Sequence, residues 1–498
     1  MQWLDDLTRG HPEGRLALID GDGTQVSYGD LNQQIDACAA ALGQAGVGPG
    51  DRVLVVAENS ALMAVAFLAS VRLRAWCVPL NARVTGAELD AIRAHARPKV
   101  TLFTADVSSD AGDHALRLGA GRGPRVLNRP LVWLVDPDAL SEPLHDKPDR
   151  QVAAMVYTSG TTGAPKGVML SHASLYFNAL SAAEARNLAP EDLIALVLPC
   201  THIMALSTAL LAAFHAGAAV RLLPRFSVAT QLRALADGAT IMPAVPLIYT
   251  QILTALDDGA VTLDAPRLRQ IGCGGAPLDP ALKQRIERRF GLPLTNGYGL
   301  TEAGPGVGST SYGPYRPDGS VGYVYPGCTA KVDAPDADGV GELLFRGPGV
   351  MLGYYRDADA TAAAMTEDGF LRTGDLARID ADGAIHLAGR ARELIIRSGF
   401  NVYPPEVEAA LMSCPGVLQA AVAGRQVPGN EEVLAFVTTD GSVGIEDIAD
   451  HLRARLAPYK RPQHIRIVDA MPLTSAGKIR KPALVEAFRD DLAPVSAV

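Results

Sequence analysis

The sequence predicts an α/β protein with a large N-terminal domain of parallel α/β sheets, a small β-barrel lobe and a small α+β C-terminal domain. Strands alternate with helices through the first half of the chain, as in parallel sheets whose faces are covered by helices. Short strands with turn signals follow at 321–332 and 341–345, which is typical of a small β-barrel-like lobe. About a hundred residues of compact helices and strands end the chain, a normal size for a separate domain.

Length and charge limit the classes of function. A chain of 498 residues is expected to form two or three domains, and its content of 48% hydrophobic and 20% charged residues is ordinary for a globular protein. The net charge of −9 argues against broad binding to nucleic acid, so an anionic ligand must be held by local positive groups. No apolar run reaches the length of a membrane span, and residues 1–10 lack the apolar core of a signal peptide.

The cysteines favour a reducing compartment. They are scattered, with no Cys-x-x-Cys pair: Cys38, Cys77, Cys200, Cys273, Cys328 and Cys414. Disulfide and zinc sites are therefore disfavoured, and we expect buried thiols in a cytoplasmic protein. The sequence is compatible with a homodimer.

The first elements are predicted from apolar spacing. Leu31, Ile35 and Leu42 recur at helical intervals after Ser27, and glycines at 46–50 end that helix. Strands are predicted at 52–57, 75–79 and 100–103, with helices at 60–72 and 89–94 between them. The stretch 110–129 is rich in glycine, charge and proline, so it is predicted to be a connecting loop with His114 on the surface.

The rest of the chain continues the alternation. Ser171 is expected to cap a helix that begins with a surface His172, and Asp279 to cap a helix whose basic face, through Arg289, is solvated. Residues 304–319 are predicted to be loop. Strands are predicted at 193–198, 240–246, 268–272, 383–387, 418–423, 433–437 and 464–468, and helices at 206–216, 247–256, 404–412 and 445–456.

The most distinctive stretch runs from Tyr157 to Gly167, after a buried-type strand at 152–156. It combines serine and threonine hydroxyls, three glycines and Lys166. Glycine lets backbone N–H groups approach a ligand closely, and successive N–H groups form an anion-binding concavity. The hydroxyls add donors and Lys166 adds a point charge. The stretch therefore predicts a phosphate loop, though not the Walker loop, because no Gly-Lys-Ser/Thr opens a helix here.

A second motif occupies 294–303. Tyr298 offers an aromatic face for a purine, Thr301 offers a hydroxyl to a phosphate, and Glu302 is a hard oxygen ligand suited to Mg²⁺ on phosphates. Upstream, glycines at 272–275 permit a flat ligand to lie against the backbone. A glycine-rich turn with an incidental acid is the alternative for 294–303 taken alone.

Together these motifs resemble the adenylate-forming superfamily, which includes acyl-CoA synthetases, adenylation domains of peptide synthetases and luciferases. The resemblance extends from about Ser27 to Lys478, nearly the whole chain. It implies an AMP-binding adenylation domain at 1–389 and a mobile C-terminal domain at 390–498. It also implies ATP, Mg²⁺ and coenzyme A as ligands, together with a small carboxylic acid.

The resemblance gives roles to residues at matching positions. It makes Lys478 the adenylation lysine, Thr301 a donor to the α-phosphate, Glu302 the Mg²⁺ ligand, and His202 a residue between acyl pocket and nucleotide. The residues expected to bind nucleotide or coenzyme A are Thr158, Ser159, Gly160, Thr161, Thr162, Gly163, Lys166, Gly274, Gly275, Ala276, Asn296, Tyr298, Gly299, Asp375, Arg390, Gly399, Tyr459 and Lys460. Of these, Asp375 and Arg390 match ribose-binding positions, and Gly399 matches the glycine beside the pantetheine tunnel.

Two positions depart from the family pattern. Ala205 stands where the family usually has glycine after the histidine, which bears on loop flexibility and pocket width. Arg392 occupies the hinge pivot, where relatives have aspartate or lysine. We still expect Arg392 to be the hinge, because the motif coincides with the expected domain boundary.

The implied reaction has two halves, in which a carboxylate attacks the α-phosphorus of ATP and a thiol then displaces AMP. The resemblance assigns three stretches to the acyl pocket: 203–211, 242–251 and 303–308. Their residues are apolar or small, and they contain no arginine or lysine for a second carboxylate. They favour a hydrophobic monocarboxylic acid, aromatic or fatty.

Three alternatives stay open. A stand-alone adenylation enzyme would load a separate carrier protein, and release of AMP that depends on coenzyme A would distinguish it. A non-catalytic nucleotide-binding protein of the same fold is the alternative from another class, against which Thr301, Glu302, Asp375 and Lys478 argue. A luciferase has no specific support in the sequence.

Overall fold

The computed structural model describes residues 3–158, 165–397, 400–427, 430–473 and 479–489. These residues divide into two compact units. The first unit contains the chain up to Leu278, Leu282–Ala330 and Phe345–Arg372, and the second contains Asp279–Ala281, Lys331–Leu344 and the chain from Thr373 onward. The domain boundary expected at 389–390 stays a prediction.

Helices and strands together form the mixed α/β fold that the sequence predicts. The strands are β1 Leu16–Ile19, β2 Gln25–Ser27, β3 Arg52–Ala57, β4 Trp76–Asn81, β5 Val100–Phe103, β6 Gly121–Val126, β7 Arg129–Val135, β8 Val152–Thr158, β9 Lys166–Ser171, β10 Leu193–Leu196, β11 Ala219–Leu222, β12 Ile241–Ala244, β13 Gln270–Gly274, β14 Leu294–Gly299, β15 Gly306–Ser309, β16 Tyr323–Val324, β17 Thr329–Asp333, β18 Gly341–Arg346, β19 Gly353–Tyr354, β20 Leu371–Ile379, β21 Ile385–Arg390, β22 Ile395–Arg397, β23 Phe400–Val402, β24 Val417–Val427, β25 Asn430–Thr439 and β26 His464–Ile467. The α-helices are α1 Tyr28–Gln44, α2 Ala61–Arg72, α3 Gly86–Ala96, α4 Ser109–Arg117, α5 His172–Ala185, α6 Ile203–Ala205, α7 Ala212–Ala216, α8 Val228–Ala236, α9 Pro246–Asp257, α10 Pro280–Phe290, α11 Ala358–Ala363, α12 Pro404–Met412, α13 Ile445–Arg453 and α14 Lys481–Ala487.

Two large sheets organise the first unit. One has nine strands in the order β16-β15-β14-β13-β12-β10-β11-β1-β2, and its central strands β14, β13, β12, β10, β11 and β1 run parallel. The other has eight strands in the order β19-β9-β8-β4-β3-β5-β7-β6, parallel from β8 to β5 and antiparallel at both edges. This parallel architecture confirms the predicted fold class.

Helix α2 is buried on every side. All of its residues from Ala61 to Val71 are at most 1% exposed, and Ser60 caps its start by accepting a hydrogen bond from Met63 N. A helix that is apolar all round belongs in the interior of a large domain. Strand β3 is likewise buried at every position, so α2 and β3 lie in the core of the first unit.

Smaller sheets lie further along the chain. The predicted β-rich lobe is a four-stranded sheet in the order β17-β18-β20-β21. A two-stranded sheet of β22 and β23 and a three-stranded sheet in the order β24-β25-β26 belong to the second unit. Around the last of these sheets, α12 and α13 bury Val407, Leu411 and Ile448 in a common apolar core with Val422.

The prediction of a connecting loop at 110–129 is wrong. This stretch holds most of helix α4, which Ser108 caps by accepting a hydrogen bond from Ala111 N, and edge strand β6. His114 is not on the surface: it is 9% exposed and its Nε2 lies 3.0 Å from Val84 O. Glycine and proline interrupt the apolar pattern from which helices and strands are predicted. Here the cap at Ser108 stabilises α4, and pairing with β7 stabilises β6.

Three further predictions are corrected. Residues 304–319 are not all loop, because β15 pairs with β14 and β16. Ser171 does cap α5, but His172 is fully buried against Trp3, and burial lowers the pKa of the imidazole to about 3. On α10, Lys283 is not solvated: its side chain is 1% exposed and pairs with Glu287 at 2.6 Å.

The helix predicted at 206–216 contains a change of type. Residues Leu206–Leu211 form a π-helical turn before α7. π-Helical turns inside helices occur frequently at functional sites. Thr208 stabilises this turn by donating its hydroxyl to Met204 O at 2.8 Å.

The six thiols are free, and five of them are buried. Burial raises the pKa of Cys38 and of Cys273 to about 12, so both remain protonated. In the part of the chain that the structure describes, no helix has the length and apolar character needed to cross a membrane.

Arg52, at the start of β3, is a buried cation that holds several loops. It is 1% exposed and donates to Ala96 O, Gly50 O, Arg97 O and Leu140 O at 2.7–3.1 Å. Its charge is therefore compensated by backbone carbonyls. The contact with Leu140 fixes a segment that has no helix or strand of its own.

We predict that Arg52→Met destabilises the protein. The apolar stem is kept, but four backbone carbonyls lose a charged donor, and those of Gly50 and Ala96 are buried. This loss should lower the free energy of unfolding by about 3 kcal/mol. Urea denaturation measures this loss. Arg122→Met is the matched control, because Arg122 is exposed on edge strand β6, and it should shift stability by less than about 0.5 kcal/mol. Equal midpoints for Arg52→Met and the wild type would contradict the assignment.

Candidate active site

Several predicted site residues of the first unit lie at the carboxyl edge of the nine-stranded sheet. His202 follows β10, Gly274–Ala276 end and follow β13, and Tyr298–Glu302 end and follow β14. These strands are parallel, with β12 between β10 and β13. Ligands of open parallel sheets bind at this edge. The sheet therefore brings together stretches that lie about a hundred residues apart in sequence.

Glycines at this edge are required by geometry. Gly275 has a φ of +77°, a left-handed conformation that side chains rarely adopt. At Gly299 an added Cβ would lie 2.1 Å from Pro305 O, so only glycine allows the chain to return past β14. Next to Gly274, the Met204 thioether covers the backbone: an added Cβ would lie 3.3 Å from Met204 Cε.

Two predicted residues have surroundings that the sequence did not indicate. Asn296 is 4% exposed, and its side-chain amide donates to Ser320 O at 3.0 Å, so that amide supports the loop beside β14. His202 is exposed at the start of α6, where its backbone N–H bonds Pro199 O at 2.9 Å. Ala205, the departure from the family pattern, is buried within α6.

The predicted phosphate loop connects two paired strands. Thr158 ends β8 and lies opposite Lys166, which begins β9. The predicted residues between them, Ser159, Gly160, Thr161, Thr162 and Gly163, lie outside the described residues. Tyr157, just before the loop, is fixed by a 2.7 Å hydrogen bond between its hydroxyl and His95 Nδ1.

Tyr354 joins the phosphate loop to the candidate metal ligand. Lys166 Nζ lies 4.9 Å from the centre of the Tyr354 ring, and the Tyr354 hydroxyl donates to Glu302 Oε1 at 2.9 Å. Burial, and then the adjacent carboxylate, raise the pKa of this hydroxyl well above its usual value, so it stays a donor. One tyrosine thus contacts both residues: Lys166, at the start of β9, through its ring, and Glu302, in the turn after β14, through its hydroxyl.

The backbone of the Glu302 loop is held as well. Met351 N donates to Glu302 O at 2.8 Å, and the buried Asn178 side chain bonds both sides of the following turn. Asn178 Oδ1 accepts from Gly306 N at 2.8 Å, and Asn178 Nδ2 donates to Ala303 O at 3.4 Å. Thr301, 7% exposed, lies in the same short 3₁₀ turn as Glu302.

Glu302 offers a carboxylate that could serve as the predicted Mg²⁺ ligand. Among the described side chains, no group of three or more His, Cys, Asp and Glu could enclose a metal alone. Mg²⁺ in phosphate sites is commonly held by one or two carboxylates together with the phosphates and waters. Only one Glu302 oxygen is engaged by Tyr354, so the other can serve as a ligand.

In the second unit, the two predicted ribose ligands lie side by side. Asp375 on β20 and Arg390 on β21 are opposite each other in register, with Arg390 Nε 2.7 Å from Asp375 Oδ1. Thr373 supports them, because its hydroxyl accepts from Asp375 N at 3.1 Å and donates to Leu343 O at 2.7 Å. Asp375 is 4% exposed.

The remaining predicted residues of this unit are also placed. Arg392 lies in the short 3₁₀ helix Ala391–Glu393, where the hinge is expected. The Tyr459 ring stacks on Phe400 at 4.7 Å, and Lys460 pairs with Glu406 at 2.5 Å. Gly399 and Lys478 lie outside the described residues.

Sequence reasoning missed the residues that hold this machinery in place. Tyr354 belongs to none of the motifs of the sequence, and Asn178 lies inside helix α5 without any motif. The contacts that matter here join residues far apart in sequence: Tyr354 with Glu302, and Asn178 with Gly306. Only the fold reveals them.

Comparisons with known proteins show the family to which the chain belongs. The family model described as AMP-binding enzyme matches residues 4–355, and that of the AMP-binding enzyme C-terminal domain matches 406–478. The chain is 34% identical to 4-coumarate–CoA ligase 5 of Oryza sativa subsp. japonica over 93% of this chain and 90% of the relative. It is 32% identical to oxalate–CoA ligase of Arabidopsis thaliana over 97% of this chain and 98% of the relative.

A solved structure shares the whole fold. The crystal structure of ATP-bound MatB from Rhodopseudomonas palustris matches with a TM-score of 0.84 and 30% identity, covering 98% of this chain and 99% of MatB. The resemblance noted from the motifs is confirmed: the chain belongs to the AMP-binding enzymes of the adenylate-forming superfamily.

Proposed function

We propose that the chain is an ATP-dependent acid–thiol ligase that forms an acyl-CoA. It would activate a hydrophobic monocarboxylic acid as acyl-AMP with release of pyrophosphate, then transfer the acyl group to coenzyme A with release of AMP. The observation that carries this proposal is the arrangement of Lys166, Tyr354 and Glu302. The cation that follows the predicted phosphate loop and the carboxylate proposed to hold Mg²⁺ both contact one tyrosine side chain. The CoA ligases among its relatives support the acceptor.

The adenylation half is mainly electrostatic. Negative charge spreads over the phosphoryl oxygens during the transfer, and fixed positive groups and donors lower its energy. In the proposal, Lys166 and Thr158 bind phosphates, Thr301 donates to the α-phosphate, and Lys478 neutralises the developing charge. Mg²⁺ on Glu302 would supply further charge neutralisation. Asp375 accepts the ribose hydroxyls and Arg390 contacts the ribose.

The acid is proposed from the wall that follows His202. Ile203 and Ala205 are buried, Met204 lies against Gly274, and the π-helical turn beyond them is apolar apart from Ser207 and Thr208. Such a wall favours an aromatic or aliphatic acid. Relatives named for 4-coumarate and for oxalate show that the family includes ligases of both apolar and doubly charged acids.

Arg186, a cation that contacts the π-helical turn of this wall, makes a dicarboxylic acid the competing substrate to test. The Arg186 guanidinium donates to Thr208 O at 2.5 Å, and burial lowers the pKa of Arg186. No carboxylate among the described residues pairs with it. A dicarboxylic acid could use such a charge, so the substrate panel must include dicarboxylates.

The direct test is a panel of carboxylic acids assayed by ATP–pyrophosphate exchange, followed by addition of coenzyme A. We expect exchange with hydrophobic monocarboxylic acids, and AMP release that increases when coenzyme A is present. Lys478→Ala should reduce exchange by on the order of 10²–10³-fold. Exchange without any effect of coenzyme A would favour a carrier-protein acceptor, and no exchange with any acid would refute the proposal. If the wild type prefers dicarboxylates and Arg186→Gln abolishes that preference, the substrate is a dicarboxylic acid and not the proposed monocarboxylic acid.

We predict that Tyr354→Phe weakens adenylation. The ring that contacts Lys166 is kept, but Glu302 loses the hydroxyl that orients it. Loss of a partner that orients a metal ligand typically costs about 10–100-fold, so exchange should fall by that factor and need more Mg²⁺. Titration of the exchange rate with Mg²⁺ at fixed ATP measures the effect.

Tyr355→Phe is the matched control for this prediction. It removes the same atom from the next residue, whose hydroxyl donates to Glu142 and not to Glu302. Its Mg²⁺ dependence should match that of the wild type. A shared loss in both variants would assign the effect to general packing.

We predict that Met204→Ala changes the choice of acid. Removing the thioether from the Gly274 backbone opens space at the wall, so kcat/KM should rise for bulkier acids relative to small ones. One methylene in an apolar pocket is worth about 10–200-fold in discrimination. Met204→Leu keeps the volume and should retain the original ranking. The same ranking of acids in Met204→Ala and wild type would remove Met204 from the acyl pocket.

A further inference from the structure

Lys481 is an ion-paired residue outside the site described so far. It is the first residue of α14 and its side chain is 22% exposed. Its Nζ lies 2.8 Å from Glu393 Oε2 and 2.9 Å from Glu408 Oε1. Burial lowers the pKa of Lys481, but the two carboxylates outweigh burial and raise it above its usual value. The ammonium is therefore charged and held by two acids.

The two acids belong to different parts of the second unit. Glu393 ends the 3₁₀ helix that contains Arg392, the expected hinge residue. Glu408 lies on α12, and its Oε1 also accepts from Val422 N on β24 at 2.8 Å. One ammonium thus connects the hinge segment to the main body of the second unit.

Lys481 also follows directly on the loop that carries Lys478. The two ends of that loop are paired, since Leu473 and Ile479 form an antiparallel bridge and Arg480 N donates to Pro472 O at 2.8 Å. Ile479 packs against an apolar cluster with Phe436 and Leu484. The loop ends are fixed, and the next side chain with an ion pair is Lys481.

We propose that Lys481 is a positioning residue for adenylation, which fixes the base of the Lys478 loop to the hinge segment at Glu393 and to α12 at Glu408. This rests on the proposed function, because it takes Lys478 as the adenylation lysine. A lysine that acts on a phosphoryl group must be placed to within about an ångström, since such a displacement can cost on the order of 10²-fold in rate. The ion pairs supply a fixed reference for a loop that contains small residues and glycine.

The test uses the full-length enzyme and separates the two half-reactions. ATP–pyrophosphate exchange measures adenylation, and conversion of a chemically prepared acyl-adenylate to acyl-CoA measures the thiol step alone. The variants are Lys481→Met, Lys481→Arg, Glu393→Gln and Glu408→Gln. Arg480→Met is the matched control, because Arg480 is the adjacent basic residue and its side chain is exposed. Thermal unfolding of each variant reports the folded fraction at the assay temperature.

We expect Lys481→Met to lower exchange by on the order of 10²-fold while the thiol step from acyl-adenylate is kept. Lys481→Arg should restore much of the exchange, because the charge can still reach both acids. Glu393→Gln should lower exchange, and Arg480→Met should leave it unchanged. Glu408→Gln should lower both exchange and the melting temperature, since Glu408 also holds Val422.

Other outcomes would overturn the inference. Unchanged exchange in Lys481→Met would do so, and so would an equal loss in both half-reactions or a loss that matches the unfolded fraction. Glu393→Gln with wild-type exchange would show that the hinge contact has no role. The Lys478→Ala variant distinguishes failure of this inference from failure of the proposed function. If Lys478→Ala abolishes exchange and Lys481→Met does not, only the inference about Lys481 fails. If the wild type shows no exchange with any acid, the proposed function fails first.

Discussion

The hydrogen bond between the Tyr354 hydroxyl and the Glu302 carboxylate is the contact on which the candidate site depends. Glu302 follows a strand of the nine-stranded sheet, whereas Tyr354 lies on the edge strand of the eight-stranded sheet beside the phosphate loop. The two sheets could each fold correctly and still leave these groups misaligned. A single neutral donor sets their distance without cancelling the negative charge that a metal ion needs, which an arginine or lysine in the same place would do.

Close backbone packing supports this contact from behind. A Cβ at Gly304 would lie 2.4 Å from Gly349 O, and one at Gly349 would lie 2.4 Å from Asn178 Nδ2. Asn178 can therefore bond the turn after Glu302 only because both neighbours are glycines. Both glycines permit close approach, and Gly304 also adopts a left-handed φ of +81°. The loop that carries Thr301 and Glu302 is thus held at the Glu302 side chain by Tyr354, at the Glu302 backbone by Met351, and at the following turn by Asn178.

Local patterns predicted what local forces determine. Apolar spacing predicted the strands β3, β4, β5, β8, β10, β12 and β13 of the two large sheets, but not β1, β11 or β14. The glycine, hydroxyl and lysine pattern predicted an anion site at 157–167, whereas the roles expected for Asp375 and Arg390 came from the family resemblance. What could not be predicted depends on contacts between distant residues. Tyr354 meets Glu302 across 52 positions, Asn178 meets Gly306 across 128, and His172 is buried beneath a segment 168 positions away. No window of sequence contains both partners, so a buried histidine looked like a surface one.

The supporting contacts share one property that bears on how such an enzyme can work. Tyr354 and Asn178 hold Glu302 within the first unit, whereas Thr373 holds Asp375, and Glu393 and Glu408 hold Lys481, within the second. A mobile C-terminal domain at 390–498, as the family resemblance implies, requires that the residues before Arg392 and the residues after it each be held in order without help from the other side. Thr373 and Asp375 precede the expected hinge, whereas Glu393, Glu408 and Lys481 follow it. If the position of Glu302 depended on residues after the hinge, each rearrangement would first have to break and then rebuild the geometry of the site. Support that is internal to each side removes that cost, so a rotation about Arg392 would need to change only which groups meet.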